Sequence, residues 1–134
     1  MNLKGAFLSI KYVVPPIIEN NGGSIINNSS VLDSRSTDSS STSYHVSEGR
    51  LTILRKKSSL SYTKFNIRVT NIQPSAIATE MSGTPWNDLR NSTVIGGRKK
   101  IQPLHRMGHP YDVAYAALFF ASDESAFVTG ATLL

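Results

Sequence analysis

The stretch Asn66-Ile67-Arg68-Val69-Thr70-Asn71-Ile72-Gln73-Pro74 decides how this chain folds. Apolar and polar residues alternate from Ile67 to Thr70, and most of the apolar ones are β-branched, which is typical of a β-strand. Pro74 has no backbone N–H to give to a sheet, so the strand is expected to end before it. The pattern predicts a strand over residues 66–72.

Helical patterns and a second strand precede this stretch. Residues 44–65 are predicted to be helical because five residues share one face: Leu51, Leu54, Ser58, Tyr62 and Phe65. Residues 2–19 are predicted to be helical because apolar residues recur at steps of three and four: Leu3, Phe7, Ile10, Val14 and Ile18. Pro15 and Pro16 are expected to kink this helix or start a new turn. Residues 24–28 read as a short strand that is too apolar at its centre for a surface edge.

The C-terminal side continues the alternation of helices and strands. The predicted segments are a loop at 75–81, a short helix at 85–91, a mobile segment at 94–103 with a Gly96-Gly97 hinge, a helix at 110–122 and a strand at 131–134. Strands separated by helices predict an α/β fold with a parallel sheet. The 134 residues are expected to form one domain or part of one.

The composition of the chain argues against several classes of function. The chain has 14 Lys and Arg against 9 Asp and Glu, and no cysteine. The basic clusters Arg55-Lys56-Lys57 and Arg98-Lys99-Lys100 lack interleaved aromatics, so we interpret them as solvated faces rather than a nucleic-acid surface. The three histidines show no metal-ligand spacing. No apolar run approaches the length of a membrane span, and we expect a cytoplasmic protein without a bound metal.

A serine-rich segment lies between the first predicted strand and the second helix. Residues 29–43 include eight serines in fifteen positions. Low complexity is typical of a flexible linker. The position between a buried strand and a long helix favours an active-site loop instead.

The stretch Tyr44-His45-Val46-Ser47-Glu48 follows directly and suggests hydroxyl/carbonyl redox chemistry. A phenol can donate a proton to an oxygen that gains negative charge, and a neighbouring hydroxyl can orient that oxygen. Such a phenol needs a nearby cation, and on a helix the cation should lie four residues later. That position holds Glu48, whose charge has the opposite sign. The alternative interpretation is an exposed pair at a helix start.

Motifs spread over the whole chain resemble the short-chain dehydrogenase/reductase family. In order they are Asn2-Leu3-Lys4-Gly5, residues 23–30, Tyr44-x-x-Ser47, residues 66–74, Ile77-x-Thr79, Arg106-Met107-Gly108-x-Pro110, and residues 122–132. The resemblance corresponds to the C-terminal half of a typical member. It implies a doubly wound Rossmann-type sheet and hydride transfer between NAD or NADP and an alcohol or carbonyl.

The resemblance also assigns roles to residues of this chain. Tyr44 matches the acid/base toward the substrate oxygen, and Ser30, rather than Ser29, matches the serine that hydrogen-bonds the same oxygen. Asn2 matches the asparagine that holds a proton-relay water. The residues expected to bind the cofactor are Tyr44, Pro74, Ile77 and Thr79.

Three departures from the family pattern fall in functional places. Glu48 occupies the position of the family's lysine, and a carboxylate opposes the ionisation of a nearby phenol. No Gly-rich phosphate-binding turn occurs in the sequence. Ser75 replaces the glycine that usually follows Pro74. We therefore expect residues 1–134 to be a partial domain that lacks the Gly-rich dinucleotide-binding part and whose activity is impaired.

Two alternatives to catalysis stay open at this point. The helices predicted at 2–19 and 44–65 usually form the dimer interface in this family, so the chain could be a non-catalytic dimerisation or interaction module and a homo-oligomer. It could also be a decayed fragment, because Asn28, Asp33 and Glu48 interrupt otherwise regular patterns. If the chain is active, the resemblance implies a small alcohol or carbonyl substrate.

Overall fold

The computed structural model describes residues 2–33, 42–83 and 102–134. Its main elements are α1 (Asn2–Glu19), β1 (Gly23–Asn28), α2 (Thr42–Tyr62), β2 (Ile67–Ile72), α3 (Pro110–Ala121) and β3 (Thr132–Leu133). Short 3₁₀ helices span Val31–Asp33, Thr63–Phe65, Glu80–Ser82 and Asp123–Ser125. The predicted helix at 85–91 and the predicted hinge at Gly96-Gly97 lie outside the described residues. Nearly all of the predicted segment 94–103 lies outside them as well.

The described strands form one parallel sheet in the order β1-β2-β3. The register pairs Gly23 with Ile67 and Asn28 with Ile72, and it pairs Asn71 with Thr132. Helices α2 and α3 connect successive strands, as parallel pairing requires. The predicted α/β architecture with a parallel sheet is confirmed.

The two faces of β2 pack against different helices. Alternate side chains of a strand point to opposite faces. On one face lies an apolar core between the sheet and helices α1 and α2, formed by Ile10, Val14, Ile25, Ile67 and Val69, with Leu54 and Tyr62 packed against it. On the other face Arg68 reaches α3 and donates to the carbonyl of Phe120. The sheet is therefore covered on both faces, as parallel sheets usually are.

The turn between α1 and β1 depends on a close backbone approach. Gly22 has φ of 122°, and a Cβ atom built there would lie 2.5 Å from the carbonyl oxygen of Asn66. Asn66 itself adopts a left-handed conformation with φ of 59°. Glycine meets both requirements at this position because it has no side chain and tolerates positive φ.

Several predicted boundaries and faces are corrected by the structure. Helix α2 begins at Thr42, inside the predicted loop, and gives way to a 3₁₀ helix at Thr63. Phe65 lies in that 3₁₀ helix and is exposed, because three residues per turn rotate it off the α-helical face. Phe7 is also exposed, because α1 meets the core through its later residues Ile10 and Val14. The helix continues through Pro15 and Pro16 as one element.

The strand predicted at 24–28 lies at the edge of the described sheet, the position expected for it in this half of the family's domain, although its centre is apolar. Its central Ile25 is nevertheless buried, because it packs against the residues of α1. In the described parts of the chain, no helix is long and apolar enough to span a membrane.

Candidate active site

Two of the predicted site residues, Ser30 and Pro74, lie just after the ends of parallel strands. Ser29 and Ser30 follow β1 directly, and Gln73 and Pro74 follow β2. The carboxyl ends of parallel strands meet at one edge of a sheet, and ligands of open α/β sheets bind outside that edge. The topology therefore places the segments after β1 and β2 on the same side of the molecule.

Hydrogen bonds tie the segment that carries Ser30 to the end of β2. The backbone N–H of Ser29 donates to the carbonyl of Ile72 at 2.9 Å, and that of Val31 donates to the carbonyl of Pro74 at 3.3 Å. The Ser30 hydroxyl accepts from the backbone N–H of Leu32 at 3.2 Å. This bond leaves the hydroxyl hydrogen of Ser30 available to a further acceptor. Ser30 is thus half-buried and held at the sheet edge.

Tyr44 lies in the first turn of α2, just after the serine-rich segment. Its side chain is 38% exposed. The Ser47 hydroxyl donates to the backbone carbonyl of Tyr44 at 2.8 Å, a local bond within the turn. The phenol is therefore carried by a regular helix and remains accessible from solvent.

Glu48 lies one turn after Tyr44 and is buried, with 4% of its surface exposed. The interpretation of Tyr44 and Glu48 as a pair of exposed side chains is therefore wrong for Glu48. Arg55 is buried to the same extent, so the interpretation of Arg55-Lys56-Lys57 as a solvated face holds only for Lys56 and Lys57. Burial follows from the packing of α2 onto the sheet, which turns this stripe of the helix inward.

Two of the predicted cofactor residues line a cleft of about 380 Å³ beside the ends of β2 and β3. Pro74 and Ile77 contribute apolar surface, together with residues such as Val113 and Leu133. Ser75, at the position of the family's glycine, has its hydroxyl bonded to the side-chain amide of Gln102 at 2.9 Å. The lining is mostly apolar, which suits a flat ring more than a phosphate.

The cleft does not gather all of the predicted residues. Its lining includes neither Ser30, Tyr44 nor Thr79. The backbone N–H of Thr79 donates to the Ser82 hydroxyl at 3.1 Å, at the start of a 3₁₀ helix. Asn2 is the first residue of α1, and the position of its side chain is outside what the structure describes.

Sequence reasoning missed an ion pair at the rim of the cleft. A guanidinium nitrogen of Arg106 lies 3.1 Å from a carboxylate oxygen of Asp112, and the backbone N–H of His109 donates to the same oxygen at 2.8 Å. The His109 N–H, and then Arg106, hold the pKa of Asp112 below its usual value. The sequence does contain a signal for this contact, because Asp112 lies three positions after His109, the spacing of a capping box at the start of a helix.

Metal ligation finds no support in the described ranges 2–33, 42–83 and 102–134. No group of three or more His, Cys, Asp and Glu side chains there could hold a metal ion. The polar side chains that line the cleft are those of Gln73, Ser75, Gln102, Arg106 and Asp112.

Comparison with known proteins extends these observations. The family model described as enoyl-(acyl carrier protein) reductase matches residues 1–134. The uncharacterized oxidoreductase YxbG of Bacillus subtilis (strain 168) is 39% identical over 134 residues, covering 97% of this chain and 48% of the relative. A 7alpha-hydroxysteroid dehydrogenase of Clostridium sardiniense is 33% identical over 129 residues, covering 96% of this chain and 47% of that relative.

Solved structures agree with the sequence relatives and confirm the predicted Rossmann-type fold. A 3-oxoacyl-[acyl-carrier protein] reductase from Brucella melitensis superposes with a TM-score of 0.88 at 31% identity, covering 98% of this chain and 47% of that one. A second solved structure of a 3-oxoacyl-[acyl-carrier protein] reductase from Brucella melitensis, with bound NAD, has a TM-score of 0.84 at 31% identity, covering 98% of this chain and 46% of that one. The chain thus spans about half the length of the relatives that it matches.

Proposed function

The chain belongs to the short-chain dehydrogenase/reductase family, and we propose that it carries the substrate-facing half of an NAD(P)-dependent oxidoreductase site whose activity is impaired. The observation that carries this proposal is the buried Glu48, one turn after Tyr44. A carboxylate at that place opposes the ionisation of a phenol, whereas proton transfer at Tyr44 needs a cation. Residues 1–134 then correspond to the C-terminal half of the family's domain.

In this proposal three side chains serve the substrate oxygen. Tyr44 exchanges a proton with it, and the exposure of the phenol permits direct contact. Ser30 donates a hydrogen bond to the same oxygen, using the hydroxyl hydrogen that its contact with Leu32 leaves available. Asn2 holds the water that relays protons, by resemblance alone. The substrate class is a small alcohol or carbonyl compound, and the proposed location is the cytoplasm.

The proposed cofactor is NAD or NADP, which supplies or takes up the hydride. Pro74 and Ile77 line the apolar cleft and fit a nicotinamide ring by shape and chemistry. Thr79 follows them and offers its hydroxyl to a carboxamide. The fit extends only to this end of the cofactor, because no Gly-rich turn for the pyrophosphate occurs in the sequence.

Cofactor titration tests the proposal. We expect the purified chain to show no saturable binding of NADH or NADPH by fluorescence and calorimetry, because the residues present meet only one end of the dinucleotide. The full-length Brucella melitensis reductase with bound NAD is the positive control. Micromolar binding by this chain alone contradicts the proposal of impairment.

A second candidate function is a dimerisation module built on α1 and α2. Both helices expose large apolar side chains, with Tyr12 69% and Ile53 63% exposed. Such surfaces are typical of interfaces when they are extensive. A homodimer of the 14.6 kDa chain should appear by size-exclusion chromatography with light scattering. Replacing Tyr12 and Ile53 by lysine should give a monomer, whereas replacing the exposed Met81 by lysine should leave the dimer intact. If the wild-type chain is already a monomer, it is not a dimerisation module.

A further inference from the structure

Helix α2 presents apolar side chains to solvent on the side opposite its buried face. Val46, Ile53 and Leu60 are 45%, 63% and 82% exposed. The residues buried on the same helix are mostly polar, and they are Glu48, Leu51, Arg55, Ser58 and Ser59. At 3.6 residues per turn, these two sets of side chains point in opposite directions. The usual arrangement of an amphipathic helix, with apolar residues inward and polar residues outward, is therefore largely inverted on α2.

Two cations lie in the same line as the exposed apolar residues. Arg50 and Lys57 are exposed and alternate with them at steps of four and three residues. The five side chains fall within an arc of about 80° around the helix and extend over about 21 Å of its length. The only acidic residue of α2 is the buried Glu48. We call this apolar and purely positive line the outer stripe, and it consists of Val46, Arg50, Ile53, Lys57 and Leu60.

The cations of the outer stripe have no acidic partner in the part of the chain that the structure describes. Neither Arg50 nor Lys57 forms an ion pair there, and the exposed neighbour Lys56 forms none either. Large apolar side chains exposed in a row are typical of interaction sites. Because interfaces match charges of opposite sign, these cations favour an acidic partner.

We propose that the outer stripe is the docking surface for an acidic amphipathic helix of a partner protein. Apolar residues at seven-residue spacing on that helix pack against Val46, Ile53 and Leu60. Its Asp and Glu side chains pair with Arg50 and Lys57, as charged positions beside the seam do in paired helices. The apolar contacts supply affinity, and the charges select the partner and its register.

A second copy of this chain fits the outer stripe less well. A two-fold axis beside Ile53 makes the two α2 helices antiparallel, and it places Arg50 of one copy opposite Lys56 of the other. Like charges across an interface are unfavourable, and α2 has no exposed acidic residue to compensate them. Self-association through this stripe therefore meets a repulsion that an acidic helix avoids.

An anionic lipid surface also fits less well. Helices that lie in a membrane interface separate an apolar face from a basic face. In the outer stripe, Arg50 and Lys57 instead lie between the apolar residues. The opposite side of α2 is buried in the fold, so the helix has no second face to offer to the lipid.

Peptide binding tests the proposed partner chemistry. The probe is a labelled synthetic helix of the same length as α2, with leucine along one face and glutamate on its flanks, and the matched probe has lysine for glutamate. By fluorescence anisotropy, the chain should bind the glutamate peptide in the micromolar range and the lysine peptide not at all. Arg50→Glu with Lys57→Glu should weaken the first interaction about tenfold or more and create binding of the lysine peptide.

Two controls separate the outer stripe from general effects of charge and exposure. Lys4→Glu with Lys11→Glu gives the same net charge on exposed positions of α1, and should change the affinity for the glutamate peptide by less than about twofold. Ile53→Ser should weaken this binding about tenfold, whereas Met81→Ser, at a residue that is 98% exposed, should leave it unchanged.

Several results overturn the inference. They are failure of the glutamate peptide to bind, an equal loss in the α1 control, saturable binding to phosphatidylglycerol vesicles without binding of the peptide, and a wild-type dimer that Ile53→Ser dissociates. The third result identifies a lipid surface as the occupant, and the fourth identifies a second copy of the chain. None of these measurements involves a cofactor, so the docking surface and the proposed function fail independently.

Discussion

Replacing Arg68 by methionine should destabilise the fold more than any exposed arginine would. Arg68 projects from β2 to the C-terminal end of α3. One guanidinium nitrogen donates to the Phe120 carbonyl at 2.8 Å and to the Ser125 hydroxyl at 2.7 Å. The other donates to the Ser122 carbonyl at 3.1 Å. A positive charge at this end also complements the helix dipole.

The magnitude follows from these contacts. Hydrogen bonds to a charged group contribute about 1.5–3 kcal/mol each, but water replaces part of the loss because Arg68 is only half-buried. The Ser24 hydroxyl also continues to donate to the Phe120 carbonyl at 2.7 Å. We expect a net loss of about 3 kcal/mol. At about 2.1 cal/mol/K per residue of unfolding entropy, this corresponds to a melting temperature lower by roughly 10 °C.

Thermal unfolding followed by circular dichroism measures this effect. Arg50→Met is the matched control, because Arg50 is exposed on α2 and such changes stay within about 0.5 kcal/mol. Arg68→Lys should fall between wild type and Arg68→Met, since an ammonium group keeps the charge but not the fork of donors. A shift below roughly 2 °C for Arg68→Met would refute the bridge between the sheet and α3 as a source of stability.

Two further predictions concern pH and backbone geometry. Asp112→Asn should lower the melting temperature at neutral pH, and the difference from wild type should shrink as the pH falls below 3.8. The reason is that a depressed pKa stabilises the fold above the unfolded-state value of 3.8, and this contribution is lost as the pH falls through the folded-state value. A constant difference across a pH series would contradict this. Gly22→Ala should cost about 2–3 kcal/mol in urea unfolding, because its Cβ would meet the Asn66 carbonyl at positive φ. Gly5→Ala, in open space on α1, should instead stabilise the chain by about 0.5–1 kcal/mol, and equal effects at both sites would exclude the steric explanation.

The strands could be predicted from the sequence because their signals are local. The β-branched stretch before Pro74 predicted β2 to within one residue. The apolar pair in residues 24–28 predicted β1 equally well. The ends of α1 and of α3 were also predicted to within one residue. The start of α2 was less predictable, because a serine-rich segment carries no period to mark where this helix begins.

For the candidate site, too, the local sequence predicted one part and the tertiary structure decided another. The order of motifs identified the family, and the comparisons confirmed it. The roles of Ser30 and Tyr44 remain proposals, since the described cleft includes Pro74 and Ile77 but neither of those two residues. Sequence motifs name residue types in order, whereas a cleft is formed by segments that meet only in space.

By itself, the sequence determined the α/β alternation, the family and the presence of glutamate where a cation is needed. Only the tertiary structure decided that Glu48 and Arg55 are the buried charges on α2. The physical reason is that the stripe of α2 turned inward is polar. A hydrophobic pattern cannot reveal such a stripe, because its burial is set by the whole helix packing on the sheet. That packing turns Glu48 from an apparent surface residue into a buried charge beside the proposed reaction site.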